Sequence, residues 1–485
     1  MKQWVLKRHN KYNTNNPFVN TLFTNGLLYK IIEYLYSNNI RILSHICSSI
    51  RTYMVNKKII NYALTLKTSH KYLLSYKFRN KINKLGIIDE LYCSDLSLSK
   101  KQWAKLKSSN LKIKNVMLEN INIKDLSIFI NTDNLYCYKC TDINTIPNFN
   151  KIDKINIDSF GQNLTNINNI SKIRNITTLV LNECYNLTDI SHLGTINIKE
   201  LSLSGCTKIT DVSSLGNIHT LSLYNCINVT DISALSKVYD LNLSYCLNVT
   251  DISTLSNVHT LNLTNCTKIT DFSSLHSIYN LNLSGCINLS NVDILSKVHT
   301  LNLSLCTNIN SFKCLGQIHN LILSGYNVTD VSHLSTVHTL KLSMCNNLNN
   351  ISPLKNIYKL ILNNCNNITD VSALSKVHTL HLTMCQKITD VSALGTVHKL
   401  LLFNCNNITD VSSLGTVHTL RISNCQNIRD VSLLGNIHHL VLSECNYITD
   451  VSALGTVHTL KIFGCVNITN ISSLTTVKKL YYYNK

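Results

Sequence analysis

The residues most able to do chemistry fall in columns. Cysteine recurs at one spacing, as Cys184, Cys206, Cys226, Cys246, Cys266, Cys286, Cys306, Cys345, Cys365, Cys385, Cys405, Cys425, Cys445 and Cys465. Histidine recurs at another, as His219, His259, His299, His319, His338, His378, His398, His418, His438 and His458. Aspartate does the same at Asp189, Asp211, Asp231, Asp251, Asp271, Asp330, Asp370, Asp390, Asp410, Asp430 and Asp450. Thiolate, imidazole and carboxylate are the usual ligands of zinc and the usual parts of nucleophilic and general acid–base sites. Such sites need unlike groups within bonding reach. A column sets like beside like, so its first cause is the repeat that generates it.

On that ground the cysteines read as buried, reduced, small hydrophobes. The histidines, just before the strands, should stack ring on ring near strand spacing and read as a hydrogen-bonding ladder, expected to titrate low because like groups resist joint protonation. The aspartates, in Thr-Asp-Val-Ser segments, read as acceptors for backbone N–H groups in tight turns. Cys137-x-x-Cys140 keeps the column spacing and reads as one strand position plus one column position, not a zinc or redox pair. No phosphate-cradling glycine loop, nucleophile elbow or paired-histidine metal motif occurs. The sequence therefore assigns no catalytic residue, no cofactor and no metal, and an enzyme is not expected.

Behind the columns stands a unit of 20 residues, L-x-L-x-x-C-x-x-I-T-D-V-S-x-L-x-x-V-H-T. Full copies begin at Leu179 and Leu201 and continue to Leu460; looser ones begin at Leu91, Val116, Leu135 and Ile155. Leucines two apart in a strand point the same way, and neighbouring copies must pair their strands in parallel to bury them. So short a unit leaves little chain for the return path, which predicts 3₁₀ or extended segments rather than α-helices. One copy, Leu321 to Asp330, loses a residue and carries Tyr326 in place of cysteine, where a local bend is expected.

Partner contacts should come from outward strand positions, which such a fold leaves free to vary. After the first leucine these read Asn242, Asn262, Asn282 and Asn302, expected to form an amide ladder. They then change to Ile322, Lys341, Ile361, His381, Leu401, Arg421, Val441 and Lys461. With Met344, Met384, Phe403 and Phe463 close by in sequence, the run from Lys341 to Phe463 reads as the patch that binds a protein target.

Composition narrows the class. With 44% hydrophobic residues, 15% charged residues and 3 prolines, disorder is excluded as the general state. The opening residues hold no apolar run of signal length, and no stretch would span a membrane. An intracellular, cytoplasmic or nuclear location is expected. The Asn-x-Thr sites at Asn228, Asn248, Asn367, Asn407 and Asn467 then follow from the repeat and are not glycan acceptors. Of the net +19, the first hundred residues hold +12, from 16 Lys/Arg against 4 Asp/Glu. These charges are scattered among apolar residues without a stacking platform, so a solvated helical face is preferred to nucleic-acid binding.

The N-terminal part differs in kind. Leu27-Leu28-Tyr-Lys-Ile31-Ile32-Glu-Tyr-Leu35 has helical spacing, and Ile40, Leu43, Ile46, Cys47, Ile50 and Met54 supply a second amphipathic stretch. The expected organisation is a basic tail over 1–19, a helical module over 20–66, a basic connector or cap over 67–90, and a repeat array over 91–485.

Phe23-Thr-Asn-Gly-Leu27-Leu28-Tyr-Lys-Ile31-Ile32-Glu-Tyr-Leu35 followed by Ile40-Arg-Ile-Leu43-Ser-His-Ile46-Cys47 resembles the F-box pattern L-P-x-E-L-L-x-x-I-x-x-Y-L, D-L-x-x-L-S-x-V-C. It departs from that pattern at Thr24, Gly26, Asn39 and Ile50. The repeat is similar to the cysteine-containing leucine-rich repeats found behind F-boxes, and its TDVSxL segment resembles internalin-type repeats. The resemblance implies a leucine-rich-repeat solenoid with a small helical F-box-like module, acting as the substrate receptor of an SCF-type ubiquitin ligase. It further implies that Leu27, Leu28, Ile31, Ile32, Leu35, Ile40, Leu43 and Ile46 dock a Skp-family adaptor, and through it a cullin, while the concave strand face captures the target. Apart from these partners a monomer is expected. The alternative is an interaction scaffold or sequestering protein with no ligase attached.

Overall fold

The computed structural model describes residues 61–483, apart from 65, 86, 97–98, 100–101, 103–105, 107–110, 112, 159–163, 166, 174–175 and 326–327. The eight expected adaptor-docking residues from Leu27 to Ile46 lie outside the described residues, as does Tyr326 with the bend expected there. The chain forms two compact units, Met1–Ile209 and Thr210–Lys485.

In the first unit the strands are β1 (Asn61–Leu64), β2 (Ile87–Ser94), β3 (Ile113–Glu119), β4 (Asn134–Tyr138), β5 (Lys154–Asp158), β6 (Thr178–Asn182) and β7 (Glu200–Ser202). Each pairs in parallel with the next. The register joins Leu91 to Val116, then Leu135, Ile155, Leu179 and Leu201, first leucine to first leucine. The looser copies are thus full rungs of the ladder. Two helices, α1 (Leu66–Leu74) and α2 (Tyr76–Leu85), lie between β1 and β2. Tyr72 and Leu73 of α1 are buried, and Arg79 of α2 donates through Nη1 to both their carbonyls at 2.8 and 2.9 Å. That satisfies acceptors which the end of α1 leaves open. Residues 61–64 correct one expectation. They form β1, not the tail of a helical module, because β2 offers a parallel partner to a segment too short to nucleate a helix alone.

In the second unit five strands of three residues come first: β8 (Thr220–Ser222), β9 (Asp240–Asn242), β10 (Thr260–Asn262), β11 (Asn280–Asn282) and β12 (Thr300–Asn302). Strands of five residues follow: β13 (Asn320–Ser324), β14 (Thr339–Ser343), β15 (Lys359–Asn363), β16 (Thr379–Thr383), β17 (Lys399–Phe403), β18 (Thr419–Ser423), β19 (His439–Ser443), β20 (Thr459–Phe463) and β21 (Lys479–Tyr483). All pair in parallel with the next. The short copy keeps register, Leu321 facing Leu340.

Return segments are 3₁₀ turns such as Ser233–Lys237 and Ser392–Thr396, as the repeat length requires. Ahead of many of them, the aspartate column does what its position implies: Asp211, Asp231, Asp390 and Asp450 accept the N–H of the serine two residues on, at 2.8 to 2.9 Å. Leu241, Leu243, Cys246, Val249, Ile252, Leu255 and Val258 are each 2% exposed or less. Burying a side chain of this size contributes about 1.5–3 kcal/mol, and only a stacked neighbour can cover the open edge. Each unit is a leucine-rich-repeat solenoid.

Candidate functional site

The register of the second unit sets Lys341, Ile361, His381, Leu401, Arg421, Val441 and Lys461 side by side in one row, which Tyr481 continues. Arg421 and Tyr481 are exposed and the others are half-buried. A second row, two residues on, contains Phe403, Phe463 and Tyr483, with the Phe463 and Tyr483 rings stacked at 5.7 Å. Lys461 Nζ lies 5.2 Å from the Tyr481 ring centroid. His381 stands between Ile361 and Leu401 with Nε2 buried and without a hydrogen-bond partner. Burial, then the charges of Lys359 and Lys399, holds its pKa below the ordinary imidazole value. The patch expected from sequence is therefore contiguous, and Tyr481 and Tyr483, 44% and 64% exposed, extend it. Strand pairing past Lys478 was the missing cue.

A third row carries unusual backbone. The residue before each column cysteine has positive φ, and glycine or asparagine holds it in many copies, as at Gly205, Asn265, Gly285 and Asn404. Elsewhere large apolar residues occupy it: Tyr245 and Leu305 at φ 62°, Met344 at 54° and Met384 at 53°. Left-handed backbone costs an ordinary L-residue about 1–2 kcal/mol, which burial of the side chain would have to offset. Here it does not. The four side chains are 39%, 49%, 42% and 40% exposed. Tyr245 packs edge-on against Tyr224 at 5.4 Å, and all four present apolar surface on left-handed backbone. Sequence reasoning singled out Met344 and Met384 and missed Tyr245 and Leu305, whose only signal is the slot before the cysteine.

The asparagine run differs from expectation. Instead of bonding amide to amide along the array, Asn242, Asn262, Asn282 and Asn302 turn Oδ1 onto the backbone N–H two residues on, at 3.0 to 3.1 Å. An inter-repeat amide chain exists one slot after the cysteines. There Asn346 Oδ1 accepts from Asn366 N–H, Asn366 Oδ1 from Gln386 N–H, and Gln386 Oε1 from Asn406 N–H.

The histidine column stacks as its place beside the strands implies, and goes further than expected. Its rings form a face-to-face stack with tyrosines filling the gaps: His219, Tyr239, His259, Tyr279, His299, His319, His338, Tyr358, His378, His398, His418, His438, His458. Centroids are 4.3 to 4.9 Å apart, as strand spacing dictates. Hydrogen bonds run within a repeat, between Nδ1 and the next threonine hydroxyl, as in His338–Thr339 at 3.3 Å and His418–Thr419 at 3.2 Å. Partial desolvation and the neighbouring imidazoles lower the pKa of His299 and His398.

No family model and no curated protein matches the chain. Solved structures do. The chain resembles the functional domain of InlJ from Listeria monocytogenes, described as including a cysteine ladder, at 19% identity over 66% of this chain and 68% of that one, with a TM-score of 0.34. It also resembles the TLR13–ssRNA13 complex at 16% identity over 82% and 80%, TM-score 0.45, and the mouse RP105/MD-1 complex at 14% over 82% and 74%, TM-score 0.45.

The cysteines of the described residues are free thiols, nearly all buried. Burial pushes the Cys246, Cys266 and Cys405 thiols up to about 12, so they are protonated and unreactive at neutral pH. Cys137 and Cys140 both lie in the core, and Cys140 donates to the carbonyls of Leu118 and Tyr138 at 3.6 Å. Several asparagines of the Asn-x-Thr sites spend their amides on the preceding repeat: Asn248 on Ile227, Asn407 on Gln386 and Asn467 on Asn446. No helix of the described residues is long and apolar enough to cross a membrane.

Proposed function

We propose that this chain is a non-catalytic binding protein whose strand face in the second unit captures a protein target. One observation carries the reading: large apolar side chains held exposed on left-handed backbone, at Leu305, Met344 and Met384, beside the row that contains Leu401 and the exposed Phe403. Lys341, Arg421 and Lys461 add positive charge, which favours a target with an acidic rim.

The finer reading is a substrate-recognition subunit of an SCF-type ubiquitin ligase, inside the cell. It rests on the F-box-like sequence, with Leu27, Leu28, Ile31, Ile32, Leu35, Ile40, Leu43 and Ile46 docking a Skp-family adaptor. The module, read from sequence over 20–66, shortens to 20–60 given β1. Receptor and target brought together in this way raise the target's effective concentration at the ligase, with no bond chemistry in the repeats. A scaffold without a ligase would share the strand face and lack the adaptor.

Affinity purification of the full chain tests both levels. Replacing Leu28, Ile31 and Leu43 by aspartate is expected to remove the adaptor and keep the target. Met384→Asn with Phe403→Ser is expected to do the reverse. A target retained by the second variant refutes the face; an adaptor absent from every purification leaves the scaffold.

A further inference from the structure

In the column of stacked rings, the residue after each ring is threonine, asparagine, lysine or aspartate in every copy but one. The exception is His439. Its ring stands edge-on to His438, with centroids 4.3 Å apart and planes at 83°, and edge-on to His458 at 6.1 Å and 84°. His438 and His458 themselves stack at 4.3 Å and 11°. One ring nitrogen of each lies within 4.8 Å of the other two, the one such group of three metal-ligating side chains found among the described residues.

We propose that His438, His439 and His458 bind a divalent transition-metal ion of the zinc class. Three imidazoles suit zinc, copper or nickel, and offer calcium or magnesium none of the oxygens those ions require. A tetrahedral ion at about 2.0–2.1 Å from each nitrogen needs nitrogens roughly 3.4 Å apart. The present spacing closes to that value by turning rings, of which His438 is exposed and the other two are half-buried. Water completes the fourth position. The column alone does not provide this geometry, because parallel stacked rings direct their lone pairs side by side; the edge-on His439 supplies the converging donor. Lys478 and Lys479 of the next repeat place positive charge near His458, and Lys479 near His439 also. They weaken the site without occupying it.

Calorimetric titration of the full chain with Zn²⁺ near neutral pH tests the site, with Co²⁺ absorption as a second readout. One ion per chain is expected, with the visible band of tetrahedral cobalt. His439→Thr installs the residue that follows His418 and His458, and His438→Tyr installs the ring the stack uses at Tyr358, so both keep the fold. Each is expected to weaken binding by at least about tenfold and abolish the cobalt band, while the metal-free melt stays put. Lys479→Thr is expected to tighten binding. No binding by the native chain, or undiminished binding in either histidine variant, overturns the proposal.

Discussion

The second unit contains two kinds of repeat that share a core and differ at the strand centre. In β9 to β12 an asparagine there takes the N–H of the residue two on, removing that donor from the ladder. The leucine carbonyl it would have met goes instead to cysteine. Leu223 O, for example, accepts from Cys226 N–H and from Cys246 Sγ, both at 3.0 Å. From β13 on, the central residues offer no side-chain carbonyl oxygen. There the pairing extends through positions such as Ser343 with Asn363, and the sulfur retreats, Cys365 Sγ lying 3.6 Å from Leu342 O. In β9 to β12 a side-chain acceptor thus accompanies strands of three residues, on the same core that carries strands of five. The same boundary separates a polar face from the apolar and basic one.

The ring stack divides three strands later. Tyrosine takes its place at 239, 279 and 358, and from His378 to His458 every ring is imidazole. Acidification should exploit this most strongly. Burial, then the neighbouring imidazoles, sets the folded pKa of His398 and His458 below the ordinary 6.5, so the unfolded chain takes the proton first. The stability these groups confer is complete above that value and lost as pH falls through it. Hydrogen exchange between neutral and mildly acidic pH is expected to show β16 to β20 losing protection before β9 to β12. Equal loss in both would end the distinction. The aspartates act in a lower window: hydrogen bonds from serine hold Asp231 and Asp390 below the ordinary 3.8, and that contribution fades only as pH drops below it.

Next in size is the 3₁₀ turn. A Cβ on Gly415 would stand 2.3 Å from the Leu433 carbonyl oxygen, whereas Ser236 and Ser256 fill that slot in the early repeats. Gly415→Ser is expected to destabilise by about 1–3 kcal/mol in denaturant titration, and Ser256→Gly by less than about 1 kcal/mol. Asn262→Ile transplants the late strand centre into the early run. It should remove about 1 kcal/mol and move the Thr264 N–H into the ladder, visible as slower exchange at that amide; unchanged exchange would detach strand length from the asparagine. Smallest is Met384→Asn. Relief of left-handed backbone should stabilise the fold by up to about 1 kcal/mol while target affinity falls.

Much of this was legible in the sequence because period fixes register. The leucine, cysteine and aspartate columns landed where the spacing put them, including the loose copies from Leu91 to Ile155. What escaped was whatever depends on a choice between equivalent partners. An asparagine amide can bond along the array or back onto its own strand, and composition does not say which. Ring stacking near strand spacing was legible from the histidines, but Tyr239, Tyr279 and Tyr358 were not counted with them; to a stack of flat rings, tyrosine is a continuation. Tyr245 and Leu305 passed as ordinary variation, since a left-handed residue leaves no trace in sequence unless it is glycine or asparagine.

The copy that is one residue short still joins Leu321 to Leu340 without slippage. Each rung therefore finds its place from its own pair of leucines, not from the length of chain that delivers it. Whole modules such as 380–399 should be removable or exchangeable as cassettes, with the cut edges rejoining in phase. Such a molecule could change what it grips by shuffling blocks, without redesigning its scaffold.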